Sequence, residues 1–238
     1  MSSTMTSILS DNLRRVRERM ESACARAGRA SGDVTLVAVT KYADLDSVRA
    51  LVELGVTNLG EGRPQQLMAR AEQLPDHVRW HLIGHLQRNK VESVLPVVAQ
   101  IHSVDSLRLV EAINNTARKL GLRPRLLLEV NVSGESAKDG FDPTALASDW
   151  PAICRLELIA IEGLMTMAPH CTCAEDARPV FRRLRELRDH LSDVSAAAGG
   201  RLCLPELSMG MSGDFEVAIE EGATIVRIGS RLFEGLPK

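Results

Sequence analysis

Aromatic side chains are scarce in this sequence: two tryptophans, one tyrosine (Tyr42) and four phenylalanines in 238 residues. Such a chain lacks the base-stacking platform that single-stranded nucleic-acid binders use. A charge excess of one sign is missing too. The 29 Lys and Arg against 31 Asp and Glu give a net −2, so no global field draws nucleic acid or an anionic membrane. No apolar run is long enough for a membrane span. The opening MSSTMTSILSDNLRRVRERM holds no apolar core of a signal peptide. The five cysteines, Cys24, Cys154, Cys171, Cys173 and Cys203, are odd in number, and their spacing suits no disulfide framework. Reduced thiols in the cytoplasm are the economical reading. At 45% hydrophobic and 25% charged, the composition is that of a globular protein.

What is present is alternation. An amphipathic N-terminal helix is expected over about 10–28, capped by Ser10 or Asp11 and closed at Gly28. Eight strand-like segments follow: TLVAVT (35–40), TNLG (57–60), WHLIG (80–84), QIHSV (100–104), RLLLEVNV (125–132), LIAIEGLM (158–165), ELSMG (206–210) and TIVRIG (224–229). Helical patterns such as LDSVRALVELG and SLRLVEAINNTARKLG lie between them. No Pro/Gly/Ser-rich linker divides the chain. Strict βα alternation implies a parallel sheet. Eight units in this length predict a single α/β domain over 1–238, a (β/α)8 TIM-like barrel spanning about 34–235 behind the extra N-terminal helix. A doubly wound open sheet is the structural rival.

Polar residues gather where a barrel would use them, at the strand ends: Lys41, Asn58 with Glu61, His85, Ser103 with Asp105, Asn131, Met165 with Thr166, Ser208 with Ser212, and Arg227 with Gly229 and Ser230. In a barrel these share the C-terminal face, where active sites are built. Strand ends are polar in any case, because loops are wet. Lys41 and Arg227 resist that reading, since each follows a strongly apolar run and Arg227 lies inside IVRIG rather than beyond it. A lysine at a strand end is most often a solvated rim charge. The functional reading is a Schiff-base lysine whose ammonium is destabilised by partial burial.

VRIGSRLFEG (226–235) carries more. A Gly-Ser pair after the eighth strand, opening a short helix, is the usual phosphate site of a barrel. Gly229 allows close approach, and Ser230 supplies a hydroxyl beside backbone N–H donors. ELSMGMSGDFEVAIEEG (206–222) adds a second Gly/Ser loop, with Asp214 as N-cap. Metal is disfavoured. His81 and His85 straddle a strand end rather than sharing a helix, and HCTC (170–173) has no fourth ligand at suitable spacing. The arginines of RPVFRRLRELRDHL (178–191) alternate with Glu186 and Asp189, as on a solvated helix face. Nothing marks Cys203 as a nucleophile.

LVAVTK, WHLIGHLQRNKV, IHSVDS, EVNVSGESAKDGF, GLMTMAP and LSMGMSGDFEVAIEEGATIVRIGSRLF, in that order from about residue 10 to 235, closely resemble the pyridoxal 5′-phosphate homeostasis protein family. That family's barrel is related to the N-terminal domain of alanine racemase. Its members bind pyridoxal 5′-phosphate, influence vitamin B6 balance, and have no established catalytic activity. The resemblance implies that Lys41 forms the internal aldimine, that Arg227 faces the pyridine nitrogen, and that Ser212, Gly229 and Ser230 contact the phosphate. It matches Lys138 to a second family lysine, implicated in cofactor handling outside the main site. Apo forms of pyridoxal-phosphate enzymes are the implied acceptors of the cofactor. The sequence departs from the family at GEGRPQQ (60–66), where Gly62 replaces an Asn, Pro64 an apolar residue and Gln66 a Glu. Ser230 replaces the commoner Thr.

The alternative class is a pyridoxal-phosphate enzyme such as a racemase. Racemisation needs an acid/base on each face of the α-carbon. The only tyrosine adjoins Lys41, and strand alternation would turn it away from the site. An arginine that stays charged beside the ring nitrogen would also weaken the ring as an electron sink.

Overall fold

The computed structural model describes residues 3–135, 139–169, 172–197 and 203–236. Eight parallel strands close into a barrel in sequence order. They are β1 (Thr35–Val39), β2 (Asn58–Glu61), β3 (Arg79–Leu82), β4 (Val98–Val104), β5 (Arg125–Glu129), β6 (Ala160–Met165), β7 (Glu206–Ser208) and β8 (Ile225–Ile228). The closing pair aligns Thr35 with Ile225 and Val37 with Arg227. The open-sheet rival is thereby excluded. The helices are α1 (Ser3–Arg26), α2 (Leu45–Glu53), α3 (Pro64–Ala71), α4 (Val91–Val94), α5 (Leu107–Leu120), α6 (Pro143–Ile153), α7 (Arg178–Ala197) and α8 (Phe215–Glu220). None of the described helices is long and apolar enough to cross a membrane.

Strand alternation sorts the apolar residues into two compartments. Leu36, Ala38, Leu126, Leu128, Leu164, Val226 and Ile228 belong to the large core between sheet and helices. Val37, Leu127, Met165 and Ile225 form a small separate cluster inside the barrel. Arg227 follows Ile225 by two residues, so it too points inward. At the N-terminal end a polar layer fills the barrel. Arg125 Nε donates to both Glu162 oxygens at 2.7 Å, and Gln100 joins Glu162 to Glu206.

The N-terminal helix differs from its expected bounds. It begins at Ser3, so Ser10 and Asp11 lie inside it and cap nothing. Leu9, Leu13, Val16, Met20 and Ala23 make a buried stripe at helical spacing. Arg19 and Arg26 pair with Glu216 and Glu220 of α8, and Asn12 caps the carbonyls of Leu232 and Glu234. Tertiary partners on that face, rather than an N-cap, set where this helix lies. β5 also stops earlier than RLLLEVNV suggested. Beyond Glu129 the chain pairs with its own return segment, Asn131 N–H donating to the Phe141 carbonyl at 2.9 Å. Pro64 sits in the first turn of α3, as its fixed φ favours. Cys24, Cys154, Cys173 and Cys203 are free thiols.

Candidate functional site

β1 ends at Val39 and pairs there with Gly60. The chain then turns at once, Ala43 N–H donating to the Thr40 carbonyl at 2.8 Å. Asp44 caps the following helix by accepting from Ser47 N–H at 2.8 Å. Lys41 therefore sits in a turn just past the strand, not on its tip, and it is exposed rather than partly buried. Alternation no longer applies there. Tyr42, expected to point away, lies beside the amine, with Lys41 Nζ 4.9 Å from its ring centroid.

The turn is held from below. Arg70, on α3, donates to the Thr40 carbonyl at 2.8 Å and to the Ala43 carbonyl at 2.5 Å. It also donates to Glu61 Oε1 at 2.6 Å, and the Thr40 hydroxyl donates to the same oxygen. Glu61 is fully buried, and its Oε2 has no hydrogen-bond partner among the described residues. Burial pushes its carboxyl pKa up against the pull of Thr40 and Arg70. Glu61 was read as a strand-end group at the barrel mouth. It instead points outward to α3 and serves the lysine turn indirectly.

The phosphate-type loops adjoin that turn across the β1–β8 seam. Gly229 N–H donates to Ser212 Oγ at 3.2 Å. A Cβ on Gly229 would stand 3.2 Å from the Val39 carbonyl oxygen, so the loop lies close on the end of the lysine strand. Asp214 stands at the N-cap position of α8 as expected, but its side chain makes no capping bond there; its carboxylate instead accepts from Met211 N–H at 2.6 Å, closing the loop that carries Ser212. The Ser230 hydroxyl is exposed and takes no partner among the described residues. Lys41, Ser212, Gly229 and Ser230 thus lie at the same end of neighbouring strands. Lys138 lies outside the described residues.

Arg227, within β8, is 3% exposed. It donates from Nη1 to Ser208 Oγ at 2.6 Å and from Nη2 to the Thr166 carbonyl at 3.0 Å. Both acceptors are neutral, and none of the described carboxylates makes an ion pair with it. Burial lowers its pKa to about 10, with Glu129 and Asp214 opposing from further away, so the guanidinium remains charged at neutral pH. Two of its five N–H donors are committed to these acceptors.

Behind Ser208 runs a chain of side chains that the sequence did not disclose. His102 Nδ1 lies 2.9 Å from Ser208 Oγ, His102 Nε2 lies 2.9 Å from His81 Nδ1, and His81 Nε2 lies 3.1 Å from Asn58 Oδ1. Asn58 opens β2 opposite Arg79, at the far end from the mouth where it was expected. It reaches the site only through the two histidines. Burial, then Arg79 and Arg125, depress His81 to about 3. Burial and His81 hold His102 well below the ordinary imidazole range. Both rings are neutral. His81 and His85 take different partners, His81 being tied to His102 and Asn58 inside the barrel. His85 is exposed and bonds Asp105 at 3.1 Å, and the described residues contain no cluster able to hold a metal.

Glu129, at the end of β5, is 6% exposed. Burial raises its carboxyl to about 7, with Arg227 pulling it down and Asp105 and Asp139 pushing it up. A cavity of about 350 Å³ lies between His85–Arg88 and Asp105–Leu109. It is apart from the Lys41 turn.

Residues 9–237 match the family model for the N-terminal domain of alanine racemase. The pyridoxal phosphate homeostasis protein of Aquifex aeolicus is 43% identical over 224 residues, 94% of this chain and 96% of its own length. The chain belongs to the pyridoxal phosphate homeostasis protein family. A solved structure, PipY of Synechococcus elongatus with pyridoxal phosphate bound, superposes at a TM-score of 0.81 and 33% identity. It is covered over 99% of its length and matches 94% of this chain. An alanine racemase of Streptomyces coelicolor, at 22% identity and a TM-score of 0.71, is covered over 58% of its length and shares the barrel.

This member of the pyridoxal phosphate homeostasis protein family departs from the pattern of its resemblance at 60–66, and the structure says what that segment touches. Gly62 packs under Lys41, where a Cβ would lie 3.7 Å from Lys41 Cδ. Gly62 also sits tightly on Gly84, whose Cβ would meet the Gly62 carbonyl oxygen at 2.3 Å. Gln66 Nε2 donates to the Lys41 carbonyl at 3.2 Å. A glutamate at that position could not donate this bond.

Proposed function

We propose that this chain binds pyridoxal 5′-phosphate covalently through Lys41, holds it without turnover, and releases it to apo pyridoxal-phosphate enzymes. The observation that carries the reading is Arg227. A buried, charged guanidinium whose hydrogen-bond acceptors among the described residues are neutral, with Glu129 and Asp214 acting only from further away, is costly unless a further acceptor completes it. An unprotonated pyridine nitrogen is such an acceptor. The bound aldehyde would supply the electrophile for an amine and, in an enzyme, an electron sink.

This chain's own residues do the rest. Lys41 presents its amine from an exposed turn that Arg70 and Gln66 hold by backbone carbonyls. The Ser230 hydroxyl, Gly229 and Ser212 lie where the loops after β7 and β8 take a phosphate. Arg227 would hold the nitrogen of a bound ring unprotonated, which would weaken the ring as an electron sink and favour storage over chemistry. The exposed turn leaves the lysine linkage open to a second amine, as release to another protein requires. Lys138 is taken as a secondary cofactor lysine outside the main site. We take the barrel as one cofactor-binding unit over 1–238, working in the cytoplasm, where its free thiols persist.

A racemase-like reading has one observation in its favour, the tyrosine ring beside the lysine amine. Tyr42 is 89% exposed and comes from the same turn as Lys41. It does not supply a base from the opposite face. The test is to load the protein with pyridoxal phosphate and follow α-proton exchange and chirality of L-alanine in deuterated water. Activation of an added apo pyridoxal-phosphate enzyme is measured alongside. Delivery with negligible exchange is expected. Turnover of roughly 1 per second or faster would overturn the binding-protein reading.

A further inference from the structure

The chain Arg227–Ser208–His102–His81–Asn58 crosses the barrel interior from β8 to β2 through β7, β4 and β3. Its direction follows from proton counting. Arg227 can only donate, so Ser208 Oγ accepts from Nη1. If the Ser208 hydroxyl donates to His102 Nδ1, then His102 Nε2–H donates to His81 Nδ1 and His81 Nε2–H donates to Asn58 Oδ1. Each link then carries one proton and both rings are neutral, in agreement with their depressed pKa values. The reverse polarity would give Ser208 two incoming donors. Its own proton would then have no acceptor in the chain. The tautomers are thus assigned by the network itself. The two rings meet edge to face, with planes at 83° and centroids 5.0 Å apart, which leaves little freedom to rotate independently.

A buried arginine is usually neutralised by a carboxylate. Here the protein meets it with a hydroxyl whose orientation is fixed two residues deep, by His81 acting on His102. The cation is held in place without a carboxylate in contact, Glu129 and Asp214 acting on it only from further away.

We propose that His102 and His81 are positioning residues that, through Ser208, aim the charged Arg227 guanidinium at the acceptor nitrogen of a bound pyridine ring. The inference rests on pyridoxal phosphate being the ligand. Neither histidine touches the ligand. They act through Arg227, so their removal alters how the ring nitrogen is recognised and spares the lysine linkage and the phosphate contacts.

The test uses the full-length protein and two probes, pyridoxal phosphate labelled with ¹⁵N in the ring and its N1-methyl derivative, which cannot accept a hydrogen bond at that nitrogen. Wild type should prefer pyridoxal phosphate over the N1-methyl compound and should show the ¹⁵N shift of an unprotonated, hydrogen-bonded pyridine. His102→Leu and Ser208→Ala should narrow that preference by roughly tenfold, the size expected for one hydrogen bond from a charged donor, and should move the ¹⁵N shift. His102→Asn places an amide where Nδ1 was and should restore much of both signals. Should His102→Leu or Ser208→Ala fail to fold, Asn58→Leu, at the distant end of the chain, should show the same change at smaller size. Unaltered preference and ¹⁵N shift in the folded variants, with a normal lysine linkage, would overturn the positioning role while leaving the cofactor reading intact. Failure of wild type to bind pyridoxal phosphate at all would overturn both.

Discussion

The Arg70 guanidinium donates to Glu61 Oε1 at 2.6 Å and, through the same nitrogen, to the Thr40 carbonyl at 2.8 Å, so the turn bearing Lys41 hangs on a buried ion pair. Removing one partner of such a pair leaves the other charge stranded, at a cost of about 3–5 kcal/mol. Arg70→Met should therefore lower unfolding stability by about that much and reduce pyridoxal phosphate binding at Lys41. Glu61→Gln keeps an acceptor for Thr40 and should cost less in both. Denaturant unfolding with parallel binding titrations checks the order. Equal, small effects for the two would mean the turn is held by something else.

Glu129 makes stability depend on pH in a direction opposite to an ordinary carboxylate. Its pKa rises on folding, from 4.5 to about 7, through burial. The folded state therefore binds the proton more tightly than the unfolded state. Stability from this group is present below the unfolded pKa and is lost as pH rises toward 7. Replacement by Gln should remove that loss, making Glu129→Gln more stable than wild type at pH 8 by on the order of 3 kcal/mol. At pH 4 little advantage should remain. Urea unfolding at the two values measures the difference; the same gap at both would contradict the assignment.

The histidine pair works the other way. His81 is depressed to about 3 by burial, Arg79 and Arg125. A base with a lowered folded-state pKa contributes stability that is full above its unfolded pKa, near 6.5, and is lost as pH falls toward the folded value. His81→Gln should flatten the acid side of the stability profile between pH 6.5 and 3, even if it lowers the plateau near neutrality. An acid limb as steep as wild type would contradict a neutral buried ring.

Ser230 offers a hydroxyl with no partner among the described residues, on the loop after β8. Its alanine variant should weaken pyridoxal phosphate binding about tenfold, as expected for one donor to a charged acceptor. Dephosphorylated pyridoxal should bind as before. Equal losses for both ligands would move the phosphate elsewhere.

The barrel was legible because its signals are local and repeated. Short apolar strands such as TLVAVT and TIVRIG alternate with amphipathic helices, and each carries its own periodicity. The glycines and serines after β7 and β8 were legible for the same reason. Lys41 stands out in the sequence, but its setting in an exposed turn does not, because a strand's last paired residue is set by its neighbour's register rather than by its own composition. The Arg227 environment was half visible. The arginine stood out inside an apolar strand, whereas Ser208, His102 and His81 come from three other strands and meet only when the barrel closes. QIHSV does show Gln100 and His102 on one strand face, a polar pair aimed inward, and that was the available signal. Glu61 looked like a mouth residue, yet it faces outward toward Arg70 of α3.

Lys41 as covalent anchor is tested most directly by loading the protein with pyridoxal phosphate, reducing it with borohydride and mapping the labelled peptide by mass. Label on the peptide containing Lys41, and loss of the visible absorption band in Lys41→Ala, are the predicted results. Label chiefly at Lys138, or an unchanged band in Lys41→Ala, would contradict them.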